Sequence, residues 1–396
     1  MVARNKALDV LRAIAVFMTF GRHMAKPEQE NLPGIVYKVL RMWEKTGWAG
    51  VSLFFVLSGY LVSSLMFNEF QNTGGSIQFA RFYIRRGLKI YPAFYALLIT
   101  SLLLCVADIM WIHRGDLLPQ EPVSTHIILS EIFFVQNYFG YIWVHVWSLA
   151  VEEHFYITLG LVIFGIMKFV PLIRPDVDLR DRFKPIVWLC GIVFVTCLAL
   201  RYVYVTGQER TMDERFAGSC YTHLRIDSLF FGVLLAYFAK FRGDTFLVWV
   251  KRHTLWLLAL GLLLISPCVV FEETDTPMMF WGYSSMFMGF GCLLLFALYH
   301  PWKSYGWIVE RSTDFLAYIG QNSYSIYLWH FPVMYILSRF MKADGTDYYT
   351  LIAAQNGLGL VVGLIMAKLI EMPVLKIRDE YFKPTKALSA GVPDKA

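Results

Sequence analysis

The sequence predicts an all-α fold, a polytopic bundle of about ten transmembrane helices with the N- and C-termini cytoplasmic. Three observations predict it. Of 396 residues 57% are hydrophobic and only 17% charged, against about 25% charged in an ordinary soluble domain. The missing charges drop out of windows of roughly 20 residues, the length a helix needs to cross a bilayer. Lys and Arg collect on alternate connections, as expected when cations are retained on the cytoplasmic side.

Apolar windows fall at about 7–25, 47–67, 87–108, 148–169, 186–205, 224–240, 253–270, 279–300, 314–339 and 351–371. With the N-terminus inside, about 22 of the 36 Lys and Arg lie in inner segments and their flanks and about 9 in outer ones. An even number of spans follows. The longest outer connection, 109–147, carries an apolar and aromatic patch at 127–141, too short for a confident span and read as interfacial. Residues 1–375 form one transmembrane domain and 376–396 a cytoplasmic tail, whose end, 388–396, has the composition of a disordered segment.

Composition also excludes. The net charge of +6 is parcelled among short loops, so no nucleic-acid face is built. Six cysteines lack CxxC spacing and mostly fall in apolar runs, where a thiol is a small hydrophobe. No metal is called for. The first window reads as a span rather than a cleaved leader, because its only Ala-x-Ala (Ala13-Ile14-Ala15) lies mid-run. Twelve Trp and 22 Tyr suit helix ends anchored at two interfaces.

The polar residues that interrupt the spans are the functional candidates, since each is costly in lipid unless paired or facing water. The first window holds Asp9, Arg12, Arg22 and His23. Asp9 and Arg12, three apart, share a face and neutralise one another; Arg22, near the outer end, is read as snorkelling to the headgroups. His23 lies eleven residues beyond Arg12, three turns and about 16 Å further along the helix, on the same side. An imidazole can take a proton from a hydroxyl near neutral pH; a lone membrane histidine otherwise serves as a helix-to-helix hydrogen bond.

The second window, 47–67, is rich in small residues that let backbones approach and carries Ser58 near its middle. Before the third stand Arg81, Arg85, Arg86 and Lys89, denser than topology alone demands and spaced to grip phosphate. The fourth opens on Trp147-Ser148-Leu149-Ala150-Val151-Glu152-Glu153, which puts two carboxylates at its outer end. The sixth opens with His223, Arg225 and Asp227, read as containing a structural Arg225–Asp227 ion pair. The ninth holds Asn322, Ser323, Ser325, His330 and a kinking Pro332, and Glu371 closes the tenth.

Five strings in order, Leu8-Asp9-Val10-Leu11-Arg12 with His23, Phe54-Phe55-Val56-Leu57-Ser58-Gly59-Tyr60, Arg85-Arg86 through Pro92, Trp147 to Glu153, and Asn322-Ser323-Tyr324-Ser325-Ile326-Tyr327-Leu328-Trp329-His330, resemble the acyltransferase-3 family of membrane acyltransferases. The resemblance implies a ten-helix domain of a bacterial cytoplasmic membrane. Such a domain moves an acyl group, usually acetyl, from cytoplasmic acyl-CoA, a donor substrate and not a bound cofactor, to a hydroxyl of a glycan or lipid-linked glycan such as lipopolysaccharide O-antigen or exopolysaccharide. It implies His23 as the catalytic histidine, Arg12 as its partner, and Arg85, Arg86 and Lys89 as the donor site. Lys89 departs from the commoner arginine, and His154 from a commoner glutamine. About 25 residues follow residue 371, too few for the esterase-like domain of some relatives, which suggests the stand-alone form.

Set beside the residues, the resemblance places acyl-CoA phosphates on Arg85, Arg86 and Lys89 and threads its pantetheine arm past Arg12 to His23. His23 is then general base or transient acyl carrier. Glu152 or Glu153 orients the imidazole or holds the acceptor, and Ser58, Asn322 or His330 stabilises the oxyanion. Arg225 and Asp227 are further acceptor candidates. The rival reading is an exporter of a small solute or lipid-linked glycan that uses His23, Glu153 and His330 as a relay; it has no need of the basic cluster.

Overall fold

In the computed structural model, residues 5–27, 33–108, 110, 118–119, 123–207, 209–302, 307–343 and 345–383 are described. Asn5 starts α1 (Lys6–His23) by accepting from the Ala7 amide. Asp9 lies in its first turn and Arg22 and His23 in its last, the placement the helix dipole favours. Next comes α2 (Gly34–Thr46), an amphipathic helix within what the sequence reading left as a connection. Trp43 ties it to α1 by donating to the Phe17 carbonyl at 2.7 Å.

The long helix α3 (Ala49–Asn72) is buried over most of its length. At Gly59 an added Cβ would lie 2.0 Å from the Leu229 carbonyl oxygen, so only glycine permits this approach. α4 (Phe79–Ala107) begins well before its apolar window. Its first turns therefore carry Arg81, Arg85 and Lys89 at four-residue spacing, which aligns them on one face.

The 127–141 patch is no continuous span. It folds as α5 (Thr125–Ile132) and α6 (Gln136–Phe139), separated by Phe134 at φ 55° and closed by Gly140 at φ 104°. Within this connection Glu131 accepts from the Ile142 amide at 2.7 Å. Burial pushes the Glu131 carboxyl up to about 7, against the pull of that amide. Trp143 donates to Ser101 at 2.7 Å, so the segment leading into the next span is pinned to α4.

There follow α7 (Trp147–Ile173), α8 (Pro185–Thr206), α9 (Met212–Cys220), α10 (Thr222–Arg225) and α11 (Asp227–Phe241). The α8 stripe Trp188, Ile192 and Val195 is exposed while Cys190, Cys197 and Arg201 are buried. That is an amphipathic pattern turned inside out, stable only against lipid.

The chain continues as α12 (Gly243–Arg252), α13 (Thr254–Ile265), α14 (Pro267–Val270), α15 (Tyr283–Tyr299), α16 (Trp307–Gln321), α17 (Ser323–Ala343), α18 (Tyr348–Met366) and α19 (Met372–Tyr381). Short π-helical turns lead into α15 and α19. α3 packs on α11, and α1 on α3, α16 and α17.

Each of the ten windows falls on helix, but among the described residues six helices are long and apolar enough to cross a membrane, or seven if 243–252 and 254–270, bent by 80°, make one span. The difference has local causes. The 314–339 window straddles a turn at Asn322 and its longer part, α17, is made less apolar by Ser323, Ser325, His330 and Arg339; the 224–240 window is cut at Ile226; and α1 carries Lys6, Asp9, Arg12 and Arg22. Past residue 371 the chain stays helical to Tyr381, against the expected end of the last helix. The 388–396 segment lies outside the described residues, as do Arg4, Arg114, Lys303, Lys386 and Lys395 of the loop charges. Several long apolar helices with outward apolar faces make this a multi-pass integral membrane protein.

Candidate active site

A cavity of about 490 Å³ opens among α1, α3, α4, α7, α17 and α19. Six cations line it: Arg12, Arg81, Arg85, Arg86, Lys89 and Arg378. Charges this far from bulk water need partners, and the fold supplies them. Asp9 takes Arg12 at 2.9 Å, Glu69 takes Arg81, and Asp379 takes Arg85 at 3.0 Å. Glu152 lies 3.4 Å from Arg86, and Glu371 holds Lys89. Arg85 also donates to the Phe382 carbonyl, so α19 and the residue after it sit across the α4 basic face.

Arg86 is the best-fixed of these groups. Its guanidinium lies 3.9 Å over the Tyr156 ring, and the Tyr156 hydroxyl joins both Glu152 and Ser58, the latter at 2.6 Å. The Arg86 Nε has no acceptor. A planar cation held by stacking with one donor unfilled is suited to a phosphate oxygen.

His23, the last residue of α1, does not line this cavity. It packs with two other imidazoles: ring centres stand 5.3 Å from His330, on α17, and 6.2 Å from His145, in the turn before α7. His145 and His330 are 5.5 Å apart. Phe331 covers His23 at 4.4 Å and Phe20 stacks on His330 at 4.8 Å. Tyr327 joins the two regions. It lines the cavity, its ring lies 5.4 Å from His145 and 5.7 Å from His330, and its hydroxyl bonds Ser148 at 2.8 Å and the His145 carbonyl at 2.7 Å.

The structure redistributes several expected partners. Neither glutamate touches His23: Glu152 serves Arg86, and Glu153 accepts from Tyr91 at 3.0 Å. Arg22 does not snorkel; it pairs with Glu273 and lies 3.7 Å from Glu44. Arg225 and Asp227 do not pair, because residues two apart on a helical path point to different sides. Asp227 instead meets Arg201 at 2.8 Å, both fully buried. Arg225 donates to Ser52 at 2.9 Å and lies 3.9 Å over the Tyr283 ring. Asn322 sits at the α16–α17 turn and donates to the Tyr318 carbonyl at 2.8 Å. Ser58 stands beside Arg86 rather than beside His23.

His145 and Tyr327 were the residues that sequence reasoning passed over. His145 stands two residues before Trp147 in the otherwise apolar string 142–147, and that isolation was its only signal. Tyr327 lay inside a quoted motif but as one aromatic among many.

A cationic cavity, a cluster of buried imidazoles and lipid-facing helices thus share one membrane-embedded bundle. The acyltransferase domain profile of the acyltransferase-3 family matches residues 5–372, and the chain belongs to that family. It is 27% identical over 405 residues to a Staphylococcus aureus strain MRSA252 protein provisionally named an O-acetyltransferase, covering 98% of this chain and 59% of that protein. To O-acetyltransferase OatA of S. aureus strain NCTC 8325 / PS 47 it is 26% identical over 366 residues, 86% of this chain and 55% of that one. The chain thus spans little more than half the length of these relatives. No solved structure matches it.

Proposed function

We propose that the protein is a membrane O-acetyltransferase that takes its acyl group from acyl-CoA on the cytoplasmic face and delivers it to a hydroxyl of a glycan or lipid-linked glycan. Lipopolysaccharide O-antigen and exopolysaccharide are acceptors of this kind. The bilayer is the bacterial cytoplasmic membrane, and the enzyme domain runs past the expected boundary at 375 through α19, because Arg378 lines the cavity and Asp379 pairs with Arg85; the cytoplasmic tail begins after it. The observation that carries this reading is the single helix α1, which presents Arg12 to a cationic cavity and His23 to the imidazole cluster.

Arg85, Arg86 and Lys89 receive the donor's phosphates, trading their carboxylate partners for phosphate oxygens, with Arg12 further along the path. At His23 two sequences balance. As general base, His23 takes the acceptor's hydroxyl proton, the oxygen attacks the thioester carbonyl, the C–S bond breaks, and the thiolate leaves with the proton. As carrier, a His23 nitrogen attacks first, the C–S bond breaks and CoA leaves as the thiol with the ring's proton; the acceptor oxygen then displaces the imidazole, which takes up the hydroxyl proton. Purified protein with radiolabelled acetyl-CoA tests the reading. His23→Ala should release CoA at least about a hundredfold more slowly, the scale of a lost general base. Full turnover by that variant would sink the assignment.

A further inference from the structure

A backbone carbonyl carries no proton, so a ring nitrogen hydrogen-bonded to one must carry its own. His145 Nε2 faces the Leu328 carbonyl at 3.0 Å and His330 Nδ1 faces the Tyr327 carbonyl at 2.7 Å. A neutral imidazole has one N–H. The proton is thereby placed on Nε2 in His145 and on Nδ1 in His330, and the other nitrogen of each ring is left as a bare lone pair. Those two nitrogens, His145 Nδ1 and His330 Nε2, are buried and no protein group donates to them. No carboxylate contacts either ring among the described residues, so nothing holds them as cations.

Both bare nitrogens belong to rings that flank His23. An N–H···N bond of about 2.9 Å joins two imidazoles whose centres are roughly 5 Å apart, close to the 5.3 Å between His23 and His330. His23 itself makes no hydrogen bond to the described residues, although its ring packs beside both of these. An unpaired buried acceptor costs about 1–3 kcal/mol, and two of them beside one donor are a costly arrangement unless that donor uses them.

We propose that His145 and His330 are positioning residues that act as neutral hydrogen-bond acceptors for His23, in the place where a carboxylate orients the histidine of a hydrolase triad. One of them holds the N–H of neutral His23 and so turns the lone pair of its other nitrogen to the reacting group. When His23 takes the acceptor's proton it gains a second N–H, and while it is doubly protonated the two lone pairs offer a partner for each. His330 is therefore no oxyanion donor: the nitrogen it would use has no proton to give. The proposal rests on His23 being the reacting histidine.

The side-chain amides separate this role from a structural one by opposite preferences at the two positions. Gln places its amide near the Nε2 position of His and Asn places it near Nδ1. His145→Gln keeps the Leu328 bond and loses the lone pair, while His145→Asn keeps an acceptor and loses that bond. At 330 the roles reverse: His330→Asn keeps the Tyr327 bond and His330→Gln keeps the acceptor. Full-length protein in nanodiscs is assayed for CoA release from acetyl-CoA, with folding checked by thermal unfolding.

The expected result is that His145→Asn and His330→Gln keep kcat within about tenfold of wild type, whereas His145→Gln and His330→Asn lose about a hundredfold or more. KM for acetyl-CoA stays within about twofold for all four, since none lines the donor cavity. The reverse order at either position, or no order, overturns the proposal. Should a variant not fold, ¹⁵N chemical shifts of the histidine rings in wild type decide: a proton on His145 Nδ1 or His330 Nε2 overturns it. Wild type that fails to turn over acetyl-CoA would count against the proposed function, and the ring-nitrogen measurement would still decide this one.

Discussion

Arg201 and Asp227 form a fully buried ion pair that holds α8 to α11, and Arg201 also donates to the Leu224 carbonyl at 3.0 Å and to Ser284 at 2.7 Å. Removing one partner strands the other charge. Asp227→Ala should cost about 3–5 kcal/mol, read as a fall in unfolding temperature of purified protein, and a fall no greater than that of an exposed Asp244→Ala control would refute the role. At the proposed donor site Arg86→Lys keeps the charge but gives up the stacking on Tyr156 and the planar fork. KM for acetyl-CoA should rise about tenfold with kcat nearly unchanged, as when a ground-state binding contact is lost. Sequence made the polar residues legible and their pairings illegible. The Asp9–Arg12 contact was readable because it is local; Arg22 with Glu273, Lys89 with Glu371 and Arg201 with Asp227 join distant segments, and no spacing rule reaches across them.

At the scale of elements the reading was strongest where periodicity and length act alone. Every apolar window became helix, and the short helices at 125–139 bore out the refusal to make 127–141 a span. It fails where polar side chains dilute a long helix, as in α17, and where a helix is amphipathic rather than apolar, as in α2. Close packing was foreseen from the small residues of α3, though not its partner. Gly59 meets the Leu229 backbone and Gly320 the Asp9 carbonyl, with an added Cβ at 1.7 Å in the second case. Gly59→Ala should therefore force α3 and α11 apart at a cost of about 1–3 kcal/mol. Ala at Gly165, where nothing lies within 4 Å, should leave the unfolding temperature unchanged; equal effects at the two positions would contradict the close-contact account.

For the whole molecule, the C-terminal helix does more than end the chain. α19 reaches back to α4 through Asp379 and the Phe382 carbonyl, and Arg378 and Leu375 line the cavity. The wall of the cationic cavity thus comes from both halves of the sequence, which is why a pass along the chain assigns Arg85 and the last helix to unrelated tasks. The expected topology puts both termini in the cytoplasm, and on it reporter fusions at residue 383 and within the 174–184 loop should read the cytoplasmic side, and one in the 209–211 segment the opposite side. A fusion pattern placing 383 and 209–211 together would reject that topology.

The phenol of Tyr327, bonded to Ser148 and to the His145 carbonyl, has a consequence for the cell rather than for the reaction. A bacterium stores energy as a proton gradient across its membrane, and a cavity of several hundred cubic ångströms is a deep dent in the insulation. Tyr327 stands in the wall of that dent on the side of the imidazoles: its ring lies 5.8 Å from Phe54 and against His145 and His330. Vesicles containing Tyr327→Ala should lose an imposed pH gradient faster than vesicles with the wild type, while Tyr327→Phe, which keeps the ring, should hold it. In the proposed reaction an acyl group is handed across such a partition without leaving a path by which the gradient leaks away.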